Sequence, residues 1–228
     1  MTISGIIKST FIDFPGVISC VLFVPGCDYD CFYCHNRRLL DGTHEKLDPE
    51  YIKKFLVKRK GMLEGVVVSG GEPTLWPDLI PYIKWLKSLG YKVKLDSNGS
   101  NPEVISKLLS ENICDYFAID YKAPSSRYPE ICGVNADGET VRKTIGLLDK
   151  AGVPFEVRTT VIPQLSEEDL VKMARELPLL PKYVLNKYRV PGIYRPEDRE
   201  RVMEKAYTAA KIKEFAEKIR VFQPNVSA

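Results

Sequence analysis

Three cysteines in the segment GCDYDCFYCHN, residues 26–36, are the side chains best suited to chemistry: Cys27, Cys31 and Cys34 follow one another with C-x3-C-x2-C spacing. As thiolates of one short loop they can hold three irons of a four-iron, four-sulfur (4Fe–4S) cluster. Such a cluster ordinarily takes four cysteines, so the fourth iron stays open to another ligand. Two other uses of the thiols compete. Counting His35 gives a Cys3His zinc set, but zinc ligands come as separated pairs, and the adjacent Cys34 and His35 would strain to reach one tetrahedral ion. Disulfides are disfavoured because the chain opens MTISG, with no apolar signal segment, and the expected setting is a reducing cytoplasm. Cys20 and Cys114 lie in or beside apolar strands and read as small hydrophobes. Cys132 reads as a loop residue with no assigned part, and neither His35 nor His44 is given a catalytic role.

A second group of residues could serve a cofactor bound at the open iron. Gly70 and Gly71 lack side chains and allow close approach of a ligand to the backbone, and Glu72 beside them offers an anion to a cationic amino group. Asp96 and Asp120 end neighbouring predicted strands. Two acids there need compensation, from Lys122, from a cationic cofactor or from a bound metal ion. Arg158 interrupts a β-branched run and needs an anionic partner, either a cofactor carboxylate or Asp120. Tyr33, next to Cys34, carries a ring against which a planar base could pack.

The elements that would position these residues alternate along the chain. Strand-like runs at residues 18–24, 66–69, 92–96, 116–120, 155–160 and 183–188 are each followed by a loop and an amphipathic helical stretch, the pattern of a parallel sheet built from βα units. Asp48-Pro49 and Asn101-Pro102 read as helix starts, Ser166 with Asp169 as a capping box, and Gly90 and Gly152 as helix stops. From about Pro196 the spacing of Val202, Ala206, Ala209, Ile212, Ala216 and Ile219 predicts one long helix. Six βα units imply an α/β fold, an incomplete (β/α)6 barrel of the TIM type, in a single domain over 1–228. Sites in barrels lie at the C-terminal strand ends. The cysteine loop, Gly70 to Glu72, Asp96 and Asp120 all fall at such ends.

Of 228 residues, 44% are hydrophobic, enough for a sizeable core; 33 basic and 30 acidic residues leave a net charge of +3, which gives no support to nucleic-acid binding. No apolar run is long enough to span a membrane.

Together these segments resemble the radical S-adenosylmethionine (SAM) enzymes, and among them the glycyl-radical-enzyme activating proteins, most closely the type associated with anaerobic ribonucleoside-triphosphate reductase. The cysteine loop carries the superfamily resemblance. GIIKSTFIDFPG (residues 5–16), GGEP, DSNG, DYKAP from Asp120 and RTTVIP from Arg158 carry the rest. The resemblance implies one 4Fe–4S cluster on Cys27, Cys31 and Cys34, with SAM chelating the open iron. It implies SAM contacts from Tyr33, Gly70, Gly71, Glu72, Asp96, Ser97, Asp120, Lys122 and Arg158. It also implies reductive cleavage of SAM to a 5′-deoxyadenosyl radical, hydrogen abstraction from a glycine Cα in a partner glycyl radical enzyme, and a flavodoxin- or ferredoxin-type electron donor in an anaerobic cytoplasm. Ser97 stands where relatives often carry threonine, and residues 186–189 replace an expected glutamine-rich stretch. No cysteine-rich insertion provides for further clusters. A pyruvate formate-lyase-type activase, a radical SAM enzyme acting on a small molecule such as a deazapurine precursor, and a non-enzymatic iron–sulfur or zinc module are the competing readings. Whether a monovalent cation sits near Asp96 and Asp120 is left open.

Overall fold

Val66, Val67 and Val68 have no solvent exposure at all, as expected of a parallel strand covered on both faces, where alternation gives way to a continuous apolar run. The computed structural model describes residues 1–228 and divides them into two units. The first comprises Met1–Cys27, Arg38–Ser97 and Glu103–Phe117; the second comprises Asp28–Arg37, Asn98–Pro102 and Ala118–Ala228.

In the first unit, strands β1 (Gly5–Thr10), β2 (Ser19–Val24), β3 (Gly65–Gly70) and β4 (Lys92–Ser97) lie side by side in chain order. β2, β3 and β4 pair in parallel, and β1 pairs antiparallel to β2. Sequence reasoning missed β1: its outward residues Ile7, Lys8 and Ser9 are exposed, so it lacks the apolar density of the parallel strands. The short α1 (Arg37–Leu40) follows the cysteine loop. Helix α2 (Pro49–Lys58) is capped by the Asp48 carboxylate, which accepts from Glu50 N–H at 3.0 Å. With α3 (Leu79–Ser88) and α4 (Pro102–Glu111) it turns an apolar stripe inward, through Ile52 and Leu56, Ile83 and Leu86, and Ile105 and Leu108.

Strand β5 (Tyr116–Asp120) begins in the first unit and ends in the second, where β6 (Phe155–Val161), β7 (Tyr183–Lys187) and the two-residue β8 (Val226–Ser227) follow it in order. The connecting helices are α5 (Tyr128–Cys132), α6 (Gly138–Ala151) and α7 (Glu167–Glu176). The predicted capping box of Ser166 and Asp169 is present in both directions, and α6 ends on Gly152 at φ 65°, the left-handed stop expected there. The long terminal helix is not one helix. It breaks into α8 (Arg199–Val202) and α9 (Ala209–Ile219), because the Thr208 hydroxyl accepts from Lys211 N–H and starts a new helix. Ala206 therefore falls in the break, whereas Ile212, Ala216 and Ile219 pack inward as expected. No helix is long and apolar enough to cross a membrane.

Candidate functional site

In the first unit the glycine pair after β3 serves the chain before it serves any ligand. Gly70 has φ 118°, and a Cβ there would fall 2.5 Å from the backbone of Val24; one on Gly71 would fall 1.8 Å from the carbonyl oxygen of Gly26. That space is filled by the segment entering the cysteine loop. Gly71 N–H donates to Val24 O, Glu72 N–H donates to Gly26 O, both at 2.8 Å, and Trp76 Nε1–H donates to Pro25 O at 2.9 Å. The Glu72 side chain is fully buried. Its Oε1 accepts from Thr74 N–H at 3.0 Å, from the Thr74 hydroxyl at 2.6 Å and from the Ser97 hydroxyl at 2.9 Å. Ser97 thus ties the end of β4 to the loop after β3.

Asp96 has a cationic partner that sequence reasoning missed. Lys94, two residues earlier on the same face of β4, is 1% exposed, and its Nζ lies 3.1 Å from Asp96 Oδ1 and donates to Asp13 O at 2.5 Å. A lysine between apolar residues in a core strand, two positions from an acid, is the signal that could have found it. The Ser69 hydroxyl adds a weaker bond to Asp96 Oδ2 at 3.3 Å.

The second unit gathers the other predicted residues. Asp120, at the end of β5, receives Lys122 Nζ at 2.9 Å on one oxygen and Arg158 Nε at 3.1 Å on the other. Burial works against ionising this carboxyl, but the two cations overcome it and hold its pKa down to about 2. Arg158 therefore takes Asp120, one of the two partners expected for it. Burial would lower the pKa of Lys122, yet Asp120, with Tyr33, Cys31 and Cys132 around it, pushes it well above its usual value. The ammonium stays charged beside the thiols.

Cys31 and Cys34 both lie within reach of that ammonium. A hydrogen bond with Cys132 and then burial push the Cys31 thiol well above its ordinary range, and burial pushes Cys34 up. Cys132 is not a loop residue: it ends α5 and is fully buried. Tyr33 is 6% exposed. Its ring meets Phe32 and Tyr188 edge-on at 5.2 and 6.4 Å, and its buried hydroxyl has no hydrogen-bond partner. The loop itself is fastened by residues outside the expected set. Asn98 donates to Asp28 at 2.8 Å, Arg37 donates to Cys31 O at 2.8 Å and pairs with Asp30, and Arg195 reaches Asp30 at 2.6 Å.

The donor set suits an anionic iron–sulfur group: Cys31 and Cys34 face a permanent cation, and the orphaned Tyr33 hydroxyl is left for a ligand. The family model for the radical SAM superfamily matches residues 21–177. The chain belongs to this superfamily. It is accordingly an oxidoreductase-type radical SAM enzyme, with a 4Fe–4S cluster and SAM as cofactors.

A protein of Methanocaldococcus jannaschii named as a glycyl-radical enzyme activating enzyme is 33% identical to this radical SAM enzyme over 225 residues, 95% of the chain and 92% of the relative. A protein of Pyrococcus horikoshii named as a GTP 3′,8-cyclase is 28% identical over 151 residues, 65% of the chain and 48% of the relative. Among solved structures, Streptococcus suis SuiB bound to S-adenosylmethionine aligns with TM-score 0.61 at 18% identity, over 89% of this chain and 48% of that one. TYW1 with a lysine-pyruvate adduct bound aligns with TM-score 0.59 at 20% identity, over 90% and 73%. At these identities the structural likeness shows the α/β fold of radical SAM enzymes, the class expected from the sequence.

Proposed function

We propose that this radical SAM enzyme activates a glycyl radical enzyme, of which anaerobic ribonucleoside-triphosphate reductase is the best candidate. The observation that carries the reading is the similarity to the M. jannaschii activating enzyme along almost the whole of both chains, whereas the cyclase similarity stops at about half of that relative. Cys27, Cys31 and Cys34 would hold the cluster in this reading, and the cluster, reduced by a flavodoxin- or ferredoxin-type donor, would supply the one electron that cleaves SAM to methionine and a 5′-deoxyadenosyl radical. Gly70, Gly71, Glu72, Asp96, Ser97, Asp120, Lys122, Arg158 and Tyr33 are assigned to holding SAM. The fixed Lys122 ammonium suits its carboxylate, and the Tyr33 hydroxyl can donate to it. A glycine Cα of the partner gives up its hydrogen, a step helped by the absence of a side chain and by close, aligned atoms. The setting is an anaerobic cytoplasm.

Lys122→Ala should leave iron and sulfide content at the wild-type level while lowering SAM affinity roughly ten- to hundredfold, the loss of one charge-assisted hydrogen bond of about 1.5–3 kcal/mol. Equilibrium binding to the reconstituted protein measures this, and unchanged affinity removes Lys122 from the SAM site. The substrate is tested with reduced enzyme, SAM and an anaerobic reductase deuterated at its radical glycine. Deuterium is expected in 5′-deoxyadenosine, together with a glycyl radical signal in the reductase. Hydrogen donation by a small metabolite such as a purine nucleotide, with no glycyl radical formed in any partner enzyme, would replace the activase reading with the small-molecule one.

A further inference from the structure

We propose that Lys94 is a positioning residue of the SAM site, a resident cation whose charge balances the Asp96 carboxylate and fixes its direction, so that no inorganic cation is needed there. The inference rests on the assignment of Asp96 to SAM and not on the identity of the substrate. Lys94 lies in β4 between Val93 and Leu95, neither of which has any exposure. Its side chain is 2% exposed, whereas that of Asp96 is 14% exposed. Residues two apart on a strand share a face, so the ammonium stands behind the carboxylate, and the carboxylate lies nearer the strand end where a ligand would enter. Nζ donates to Asp13 O at 2.5 Å, lies 3.1 Å from Asp96 Oδ1 and faces the Tyr116 ring at 5.7 Å from its centre. Asp13 is itself fixed. Its carboxylate accepts from the Thr10 hydroxyl at 2.6 Å, and its neighbour Phe14 is buried with its ring 6.0 Å from that of Tyr116. The charge behind Asp96 therefore has a rigid mount.

Stability does not account for a lysine at this position. Removing an ammonium from water is costly, and a buried ion pair is seldom more stable than apolar side chains of similar volume. Among Val93, Leu95 and Tyr116, a methionine would pack with no charge to compensate. What the lysine adds is a permanent positive charge behind an acid that has to be ready for a ligand. An acid at a strand end needs compensation, which a metal ion from solution could also supply. A lysine on the same strand supplies it without a second binding equilibrium, and a carboxylate already held in place loses less freedom when its ligand arrives. Its lone pairs then point in one direction for the hydrogen-bond donors of that ligand.

The test is equilibrium binding of SAM to the anaerobically reconstituted protein at one ionic strength, in potassium, sodium or choline chloride. Wild type should bind equally in all three. Lys94→Met keeps most of the stem and removes the charge. Its iron and sulfide content should match wild type, and in choline its SAM affinity should fall roughly tenfold, the effect of one charge partner withdrawn from a ligand-holding acid. Potassium or sodium should restore much of that loss, because a small ion fits where the ammonium stood and choline does not. A wild-type affinity that depends on the inorganic cation overturns the proposal, and this arm involves no substitution that could disturb folding. Unchanged affinity of Lys94→Met in choline overturns it as well. So does a loss that neither ion restores, since the packing against Tyr116 and the release of Asp13 would then explain it. Wild-type SAM affinity in Asp96→Ala removes Asp96 from the SAM site and this inference with it, whereas failure to activate any reductase overturns only the activase reading.

Discussion

Replacing Cys27, Cys31 or Cys34 singly with Ala should leave the reconstituted protein without a stable cluster, with iron and sulfide near zero and the visible absorbance gone. Cys20→Ser and Cys114→Ser should keep the full complement. The contrast comes from the loop spacing of the first set and the isolated, buried setting of the second. Cys20 has no exposure, Cys114 is 6% exposed, and burial pushes both thiols up to about 12. Cys114 spends its proton on Val93 O and Tyr116 O, at 3.5 and 3.3 Å. Neither sulfur is placed to become a thiolate. Cys31 is also buried and Cys34 half-buried, and both thiols are pushed up as well; what sets them apart is the C-x3-C-x2-C spacing with Cys27 on one loop, which suits a four-iron cluster. Equal cluster loss in both sets would mean that folding, and not ligation, governs the measurement, and would remove the assignment.

The second large effect needs no change at a thiol. Gly71→Ala should cost on the order of 3 kcal/mol or more, since its Cβ would sit 1.8 Å from Gly26 O, a backbone atom that cannot swing aside as a side chain could. The forced movement is of the residue just before Cys27. Cluster content should therefore fall along with the thermal midpoint while every cysteine is present. Gly16→Ala is the control: at φ 70° it carries backbone strain but meets nothing within 4 Å, so it should cost about 1–2 kcal/mol and leave the cluster intact. Wild-type cluster content and midpoint in Gly71→Ala would show that the close packing of these two loops is not needed.

The parallel strands were legible because strands buried on both faces are written as short unbroken apolar runs, as in Val66 to Val68, and the caps at Asp48, Ser166 and Gly152 because each rests on a bond or backbone angle within a few residues. The antiparallel β1 and the break at Thr208 were not legible. A half-exposed edge strand carries a diluted pattern, and a threonine cap can be outvoted by a periodicity that continues past it. At the site, the cysteines, the glycine pair and the rim acids stood out by type and spacing, and Asp120 with Lys122 and Arg158 came together as chemistry required. The supporting partners were invisible for a common reason: Lys94 with Asp13 and Asn98 with Asp28 are bonds across 81 and 70 positions of chain. No local pattern encodes such a pair. The close approach of Gly71 to Gly26 O was not legible either, because a missing side chain looks the same in sequence whether a ligand or the chain's own carbonyl lies against it.

The cysteine loop is stitched down by the protein's own hydrogen bonds: Gly26 to Leu39, Asp30 to Cys132, Arg37 to the Cys31 carbonyl, and Asn98 to Asp28. The bonds to Cys132 and Asn98 tie the loop to segments distant in the chain, so part of the entropy of ordering it is offset by the folding of the protein itself, in contrast to small zinc domains whose metal affinity is consumed in folding them.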